Sequence, residues 1–183
     1  GSIGTDTVYI CQQYGYETDS LDISTWQFEG SANWNTTNSV VELTTPTEYV
    51  AGTAFSTVTE VLAESVEIEF QFYVSGGSGA DGFSLTALDV SRMNGFVGDT
   101  GEGIGYGGLP GWSIEVDTYY NDLDPTEEDH VAFSFDGQVE TPQAWAILPD
   151  MEDGQWHTMK VSVNAPRVRV EIDGFTYIDQ DIT

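Results

Sequence analysis

Basic residues are almost absent from this chain: only Arg92, Lys160, Arg167 and Arg169 oppose 31 carboxylates, for a formal charge of −27 over 183 residues. A surface so poor in Lys and Arg cannot neutralise a phosphate backbone, which excludes nucleic acid as a partner. The same imbalance makes the folded chain repel itself unless salt or bound cations offset it. A solvated acidic surface suited to salty water accounts for most of the charge, and only the clustered carboxylates ask for more. Cysteine is limited to Cys11, so no internal disulfide can form, and divalent metal is the expected staple. No apolar run approaches the roughly 18 residues that a membrane span needs, and no signal-peptide pattern opens the chain. Membrane insertion is therefore not expected. Gly1-Ser2 reads as a cloning remnant, which would fit a domain taken from a larger secreted protein.

What is present is a β pattern. No segment sustains an apolar stripe at helical spacing, whereas Val66, Ile68, Phe70, Phe72 and Val74 alternate with Glu67, Glu69, Gln71 and Tyr73, as a half-buried strand requires. The period of two returns at Val131, Phe133 and Phe135, at Met159, Val161 and Val163, and at Val168, Val170 and Ile172; Asn164-Ala165-Pro166 joins the last two as a hairpin. Glycine and proline punctuate the rest, as in TGEGIGYGGLPG. The chain is long enough for one domain with a sizeable core, and we expect a single all-β domain over residues 1–183, an antiparallel β-sandwich. Residues 1–24 are the least patterned; Val8, Tyr9 and Ile10 suggest an edge strand there.

Chemistry concentrates between Ser113 and Val131, where Glu115, Asp117, Asn121, Asp124, Asp129 and His130 surround Tyr119 and Tyr120. Residues two apart on a strand point the same way, so Glu115 and Asp117 share a face. Two carboxylates held together raise each other's pKa unless a cation lies between them. Calcium takes about 6–8 oxygens, and Asp117, Asn121 and Asp124 supply the side-chain part of such a set. The His130 imidazole suits a transition ion instead, manganese or zinc, in a second and adjacent site with Glu115, Asp117 and Asp124.

Three stretches in order resemble the L-type, or legume-like, lectins: GADGFSL from Gly79, GEGIGYGGLPG from Gly101, and the run from Glu115 to His130; the GSANW segment near Gly30 and the GQWHTMKVSV segment near Gly154 are similar to strand entries in bacterial members. The resemblance implies a concanavalin A-like jelly roll and a calcium-dependent carbohydrate-binding function. It casts Asp81 as the sugar-binding aspartate, whose preceding peptide, Ala80–Asp81, is cis and is held by neighbouring calcium. Asn121 becomes a ligand of both calcium and sugar, and Tyr119 gives calcium a backbone oxygen and the sugar a stacking ring. Gly103, less readily Gly101, donates a backbone N–H. The metal set comprises Glu115, Asp117, Tyr119, Asn121, Asp124, Asp129 and His130, with Ca2+ as the ion and a second divalent ion, Mn2+ or Ca2+, beside it. The implied partners are glycans, mono- or oligosaccharides on cell surfaces or polysaccharides, and the implied setting is a secreted or cell-surface adhesin.

This chain departs from the family's pattern in places. Only two residues separate Asn121 from Asp124, and Asp129 directly precedes His130, so either aspartate can bridge. Few residues follow Gly174, whereas the family continues through a final strand and a specificity loop: either these lie beyond residue 183, a distant segment completes the domain, or specificity is set elsewhere. Laminarinase-like hydrolases share the jelly roll and carry Glu-x-Asp-x-x-Glu. Here Tyr120 occupies the second glutamate's place, so an enzyme is not expected. A calcium-stiffened spacer or protein-binding domain is the other alternative. His157 reads as structural.

Overall fold

The computed structural model describes residues 7–13, 24–47, 49–56, 62–76 and 80–182. Its strands are β1 (Thr7–Gln13), β2 (Trp26–Gly30), β3 (Asn33–Asn35), β4 (Val40–Thr44), β5 (Gly52–Ser56), β6 (Ser65–Ser75) and β7 (Gly82–Leu88). They continue with β8 (Gly111–Asp117), β9 (His130–Phe135), β10 (Ala144–Ile147), β11 (Trp156–Asn164), β12 (Arg167–Ile172) and β13 (Phe175–Asp181). Among the described residues one 3-10 turn, Gly101–Gly103, interrupts them. Seven strands form one sheet in the order β13-β12-β11-β6-β1-β4-β3, four form a second in the order β10-β9-β8-β7, and β2 pairs with β5. All named pairings are antiparallel. The protein is an all-β sandwich.

Alternation builds the core. Phe70, Phe72 and Val74 of β6, Met159, Val161 and Val163 of β11 and Val168, Val170 and Ile172 of β12 all point inward from the larger sheet. Phe83, Trp112, Ile114, Val116, Val131 and Phe133 answer from the smaller one. Phe72 and Phe83 meet across the gap with ring centroids 4.7 Å apart, and each such buried side chain contributes about 1.5–3 kcal/mol. The expected strand over 65–74 and the hairpin at 164–166 stand where the pattern put them.

The edge placement of Val8–Ile10 is corrected. β1 pairs with β4 on one side and β6 on the other, so it lies inside the seven-stranded sheet. Its neighbours are far along the chain, and nothing within VYICQQ itself records that two strands cover it. Residues 1–6 and 14–23 of the poorly patterned segment lie outside the described residues. The residues after Gly174 form β13, which pairs with β12.

The outer face of the four-stranded sheet carries the polar half of the alternation. Register places Gly82, Asp117 and His130 in one row, Ser84, Glu115 and Ala132 in the next, and Thr86, Ser113 and Ser134 in a third. A second, small apolar cluster of Ile104, Tyr106 and Leu109, packed with Leu88 and Val139, seats the glycine-rich loop upon that face.

Candidate functional site

β8 delivers Glu115 and Asp117 to the outer face because Trp112, Ile114 and Val116 take the core side. Both carboxylates are buried, Glu115 at 2% exposure and Asp117 at 3%. Tyr106, fully buried beneath the glycine-rich loop, donates its hydroxyl to Glu115 Oε2. The other oxygen, Oε1, lies 3.7 Å from His130 Nε2, an ion-pair distance. Burial pulls the His130 imidazole down, but Glu115, Asp117 and Asp124 outweigh it and hold it above its ordinary value. Burial pushes the Asp117 carboxyl up to about 8; the Tyr119 N–H and His130 oppose that rise, and the charges of Asp124 and Glu115 add to it.

The loop after β8 folds back onto these groups. Tyr119 N–H donates to Asp117 Oδ1 at 2.9 Å, Asn121 N–H to Asp124 Oδ2, and the Asn121 amide to the Tyr119 carbonyl at 3.2 Å. Asp124 N–H closes the turn on Asn121 O at 3.1 Å. Asp117, Tyr119, Asn121 and Asp124 therefore belong to one hydrogen-bonded loop. Burial first, then Glu115 and Glu102, raises the Asp124 carboxyl, against the Asn121 N–H and His130.

Asp129 belongs elsewhere. It lies one residue before β9, which begins at His130, and its side chain has other partners. Its Oδ2 accepts the Met151 N–H at 3.0 Å. With Asp150 and Glu152 it forms a group whose ligand oxygens lie within 4.8 Å of one another. Among the described residues that is the one such group of three; Glu115, Asp117, Asp124 and His130 are close neighbours without contracting to that spacing.

Of the residues expected to meet a sugar, Asp81 stands just before β7 and is met there by Gly101 and by the end of β8. The Ala80–Asp81 peptide is cis, and Thr118 N–H donates to the Asp81 carbonyl at 3.0 Å, tying it to the end of β8. Gly101, at φ +65°, faces the carboxylate: a Cβ there would lie 3.9 Å from Asp81 Oδ2. Gly103 is placed differently. Its N–H donates to Thr100 O at 3.3 Å and a Cβ would meet Asp99 Cβ at 2.6 Å, so packing against Asp99 is what demands glycine there. Tyr119 and Tyr120 keep 37% and 45% of their surface exposed. Gly79, which opens the first lectin-like stretch, lies outside the described residues.

The sequence reading missed Tyr106. The signal was available, since an aromatic inside GIGYGG has no turn role and needs a place to be buried. His157 is a clasp, with Nδ1 2.7 Å from Asp173 Oδ2 and Nε2 3.1 Å from Asp153 Oδ1.

The donor set suits a hard cation. Carboxylate, amide and carbonyl oxygens from one short loop fit calcium, and Asp117, raised by burial and by the charges of Asp124 and Glu115, has no Lys or Arg partner that could neutralise it.

No protein-family model matches the sequence. Solved structures do resemble it. The VIP36 exoplasmic/lumenal domain in its Ca2+/Man3GlcNAc-bound form aligns with a TM-score of 0.64 at 20% identity, over 87% of this chain and 70% of that one. The Emp46p carbohydrate recognition domain, potassium-bound, aligns at 0.59 and 14% identity over 87% and 74%. The Ca2+/Man-bound form of the VIP36 domain gives 0.51 at 14% identity over 87% and 70%. The shared property is the fold, the jelly-roll sandwich.

Proposed function

We propose that this chain is a calcium-dependent carbohydrate-binding domain of the L-type lectin kind, without catalytic activity, serving adhesion to glycans from a secreted or cell-surface protein. The observation that carries the reading is the position of Asp81, which sits between Gly101 of the glycine-rich loop and Thr118 at the end of β8. Three loops separated in sequence thus meet at one end of the four-stranded sheet. The fold shared with domains whose solved forms hold Ca2+ with mannose or Man3GlcNAc supports the same reading.

In this proposal Asp117 and Asp124 hold the ion with their carboxylates, Asn121 with its amide oxygen and Tyr119 with its carbonyl. A bound calcium ion would supply the positive charge that keeps Asp117 and Asp124 ionised side by side. Asp81 accepts hydrogen bonds from two sugar hydroxyls, the Asn121 amide donates one, and the Gly101 backbone N–H takes the role first assigned to Gly103. Either exposed tyrosine ring can cover the apolar face of a pyranose. Ordering these groups before the ligand arrives keeps that entropy cost out of the binding step. Glu115 and His130 act as a buried support, since Tyr106 and His130 already engage the Glu115 carboxylate. A second divalent ion is therefore not part of the proposal.

The burial of Glu115 also argues against laminarinase-like hydrolysis. Two carboxylates must flank the scissile bond, and this one lies under Tyr106 with 2% exposure. A calcium-stiffened spacer remains the competing reading. A glycan array read with calcium and again after chelation separates them: hits confined to the calcium arm support the lectin, while silence in both arms, with calcium still raising thermal stability, overturns it in favour of the spacer.

A further inference from the structure

The glycine-rich loop has a second side. Between it and the β9–β10 connection lies a cleft of about 380 Å³, whose walls include Asp99, Thr100 and Glu102 from the loop and Gln138, Glu140 and Thr141 from the connection. We infer that this cleft is a subsite for a further, uncharged residue of a glycan whose terminal unit sits at Asp81. The inference rests on the carbohydrate-binding reading and extends it to oligosaccharides.

Position is the first argument. Gly101 faces the Asp81 carboxylate, and the residues on either side of it, Thr100 and Glu102, line the cleft. Gly101 thus borders the Asp81 carboxylate directly and the cleft through its two neighbours in sequence.

Rigidity is the second. Gly108 N–H donates to Gly137 O at 3.1 Å, and a Cβ on Gly137 would lie 2.1 Å from Gly108 N, so the two walls touch where only glycine allows it. Val139 packs on the Ile104, Tyr106 and Leu109 cluster, and Tyr106 continues to Glu115. The cleft is built into the same support as the Asp81 site.

Chemistry sets the ligand class. The walls offer hydroxyls, an amide and three carboxylates, groups that accept hydrogen bonds from hydroxyls. No cation lines them, and all four basic side chains of the chain form ion pairs elsewhere: Arg92 with Asp89 and Asp136, Lys160 with Glu67, Arg167 with Asp179 and Asp181, Arg169 with Glu171. An anionic sugar would enter against uncompensated negative charge. A neutral polyol meets acceptors throughout.

Calorimetry with calcium present tests this, using methyl glycosides of mannose, glucose and galactose, their neutral trisaccharides, and the same trisaccharides with a glucuronic acid as the residue next to the terminal unit. The expected result is roughly tenfold tighter binding of one neutral trisaccharide than of its methyl glycoside, or about 1.4 kcal/mol. That gain should vanish in the Gln138→Ala/Glu140→Ala double variant while monosaccharide affinity stays unchanged, and the glucuronic acid should remove it in the parent. Equal affinities for both lengths in the parent, a gain kept by the double variant, or tighter binding of the glucuronate form each overturns the subsite while leaving the Asp81 site standing. Failure of every sugar to bind overturns the carbohydrate-binding reading itself, and the subsite with it.

Discussion

Tyr106 and Glu115 are joined by a hydroxyl-to-carboxylate hydrogen bond in the buried space between the glycine-rich loop and the outer face of the four-stranded sheet. The contact fastens a loop whose backbone is otherwise rich in glycine, and it gives a buried carboxylate the donor it needs. Burial, followed by the Glu115 charge, raises the phenol well above its ordinary value, so at neutral pH the proton stays on Tyr106.

Tyr106→Phe keeps the ring and deletes the donor. Leaving Glu115 Oε2 without it should cost about 1–3 kcal/mol, several degrees in melting temperature for a chain of this size. Thermal unfolding of parent and variant at equal calcium measures it. An unchanged midpoint would remove the contact from the account of loop stability.

Asp81→Ala should leave folding nearly intact, because the Thr118 N–H is received by the backbone carbonyl and not by the side chain. Sugar affinity should fall at least about a hundredfold, as expected for two hydrogen bonds to a charged acceptor. Asp117→Ala should damage both sugar binding and the calcium response. Calorimetry and melting curves on the two variants decide; comparable sugar affinity for Asp81→Ala and the parent would refute the site.

Asp124 and Asp129 can be told apart by their response to the ion. Calcium at about 100 times its dissociation constant should stabilise the parent by about 2.7 kcal/mol. Asp124→Ala should abolish that rise. Asp129→Ala loses the acceptor of the Met151 N–H, costing about 1 kcal/mol, yet should keep the rise. Melting curves with calcium and with chelator give the answer, and a reversed pattern would move the bridging role to Asp129.

The two loop glycines should fail differently. Gly103→Ala forces a Cβ against Asp99 and should cost about 1–3 kcal/mol of stability. Gly101→Ala would place its Cβ in ordinary contact with Asp81 Oδ2, at 3.9 Å, but in a left-handed φ, costing about 1–2 kcal/mol, and should lower sugar affinity by setting a methyl group beside the Asp81 carboxylate. Denaturant titration paired with calorimetry separates the two effects.

The His157 clasp makes stability depend on pH. Burial pulls the ring down, but Asp173 and Asp153 outweigh it and hold it above its ordinary 6.5. Asp153, which burial raises, is carried below 3.8 by His157 and the Gln155 N–H. The imidazolium's contribution is complete below about 6.5 and is lost as pH rises through the raised folded value. The Asp153 contribution is present above about 3.8 and is lost as pH falls through its lowered folded value. The clasp therefore stabilises most between about pH 4 and 6.5, by about 1–2 kcal/mol, since Asp173 is partly in solvent and screened. His157→Gln should melt lower in that window and converge with the parent in alkali; a pH-independent difference would refute the linkage.

The parts of the fold legible in the sequence were those set by local alternation. Val66 to Val74 and Met159 to Ile172 announce strands because one face of each is buried, and burial writes a period of two. β1 was misjudged for the converse reason: being flanked by β4 and β6 is a property of distant partners. In the site, Glu115, Asp117, Asn121 and Asp124 could be read together because a strand and one short loop bring them close. Tyr106, the cleft and the separation of Asp129 from Asp124 depend on how loops from different strands stack, which no spacing within one segment encodes.

The place of β1 carries a practical consequence. It is the keystone joining the block β13-β12-β11-β6 to the pair β4-β3, so an N-terminal trim past Gln13 would cut the large sheet through its middle rather than shorten its rim, and the two halves would be left with raw, sticky edges facing each other.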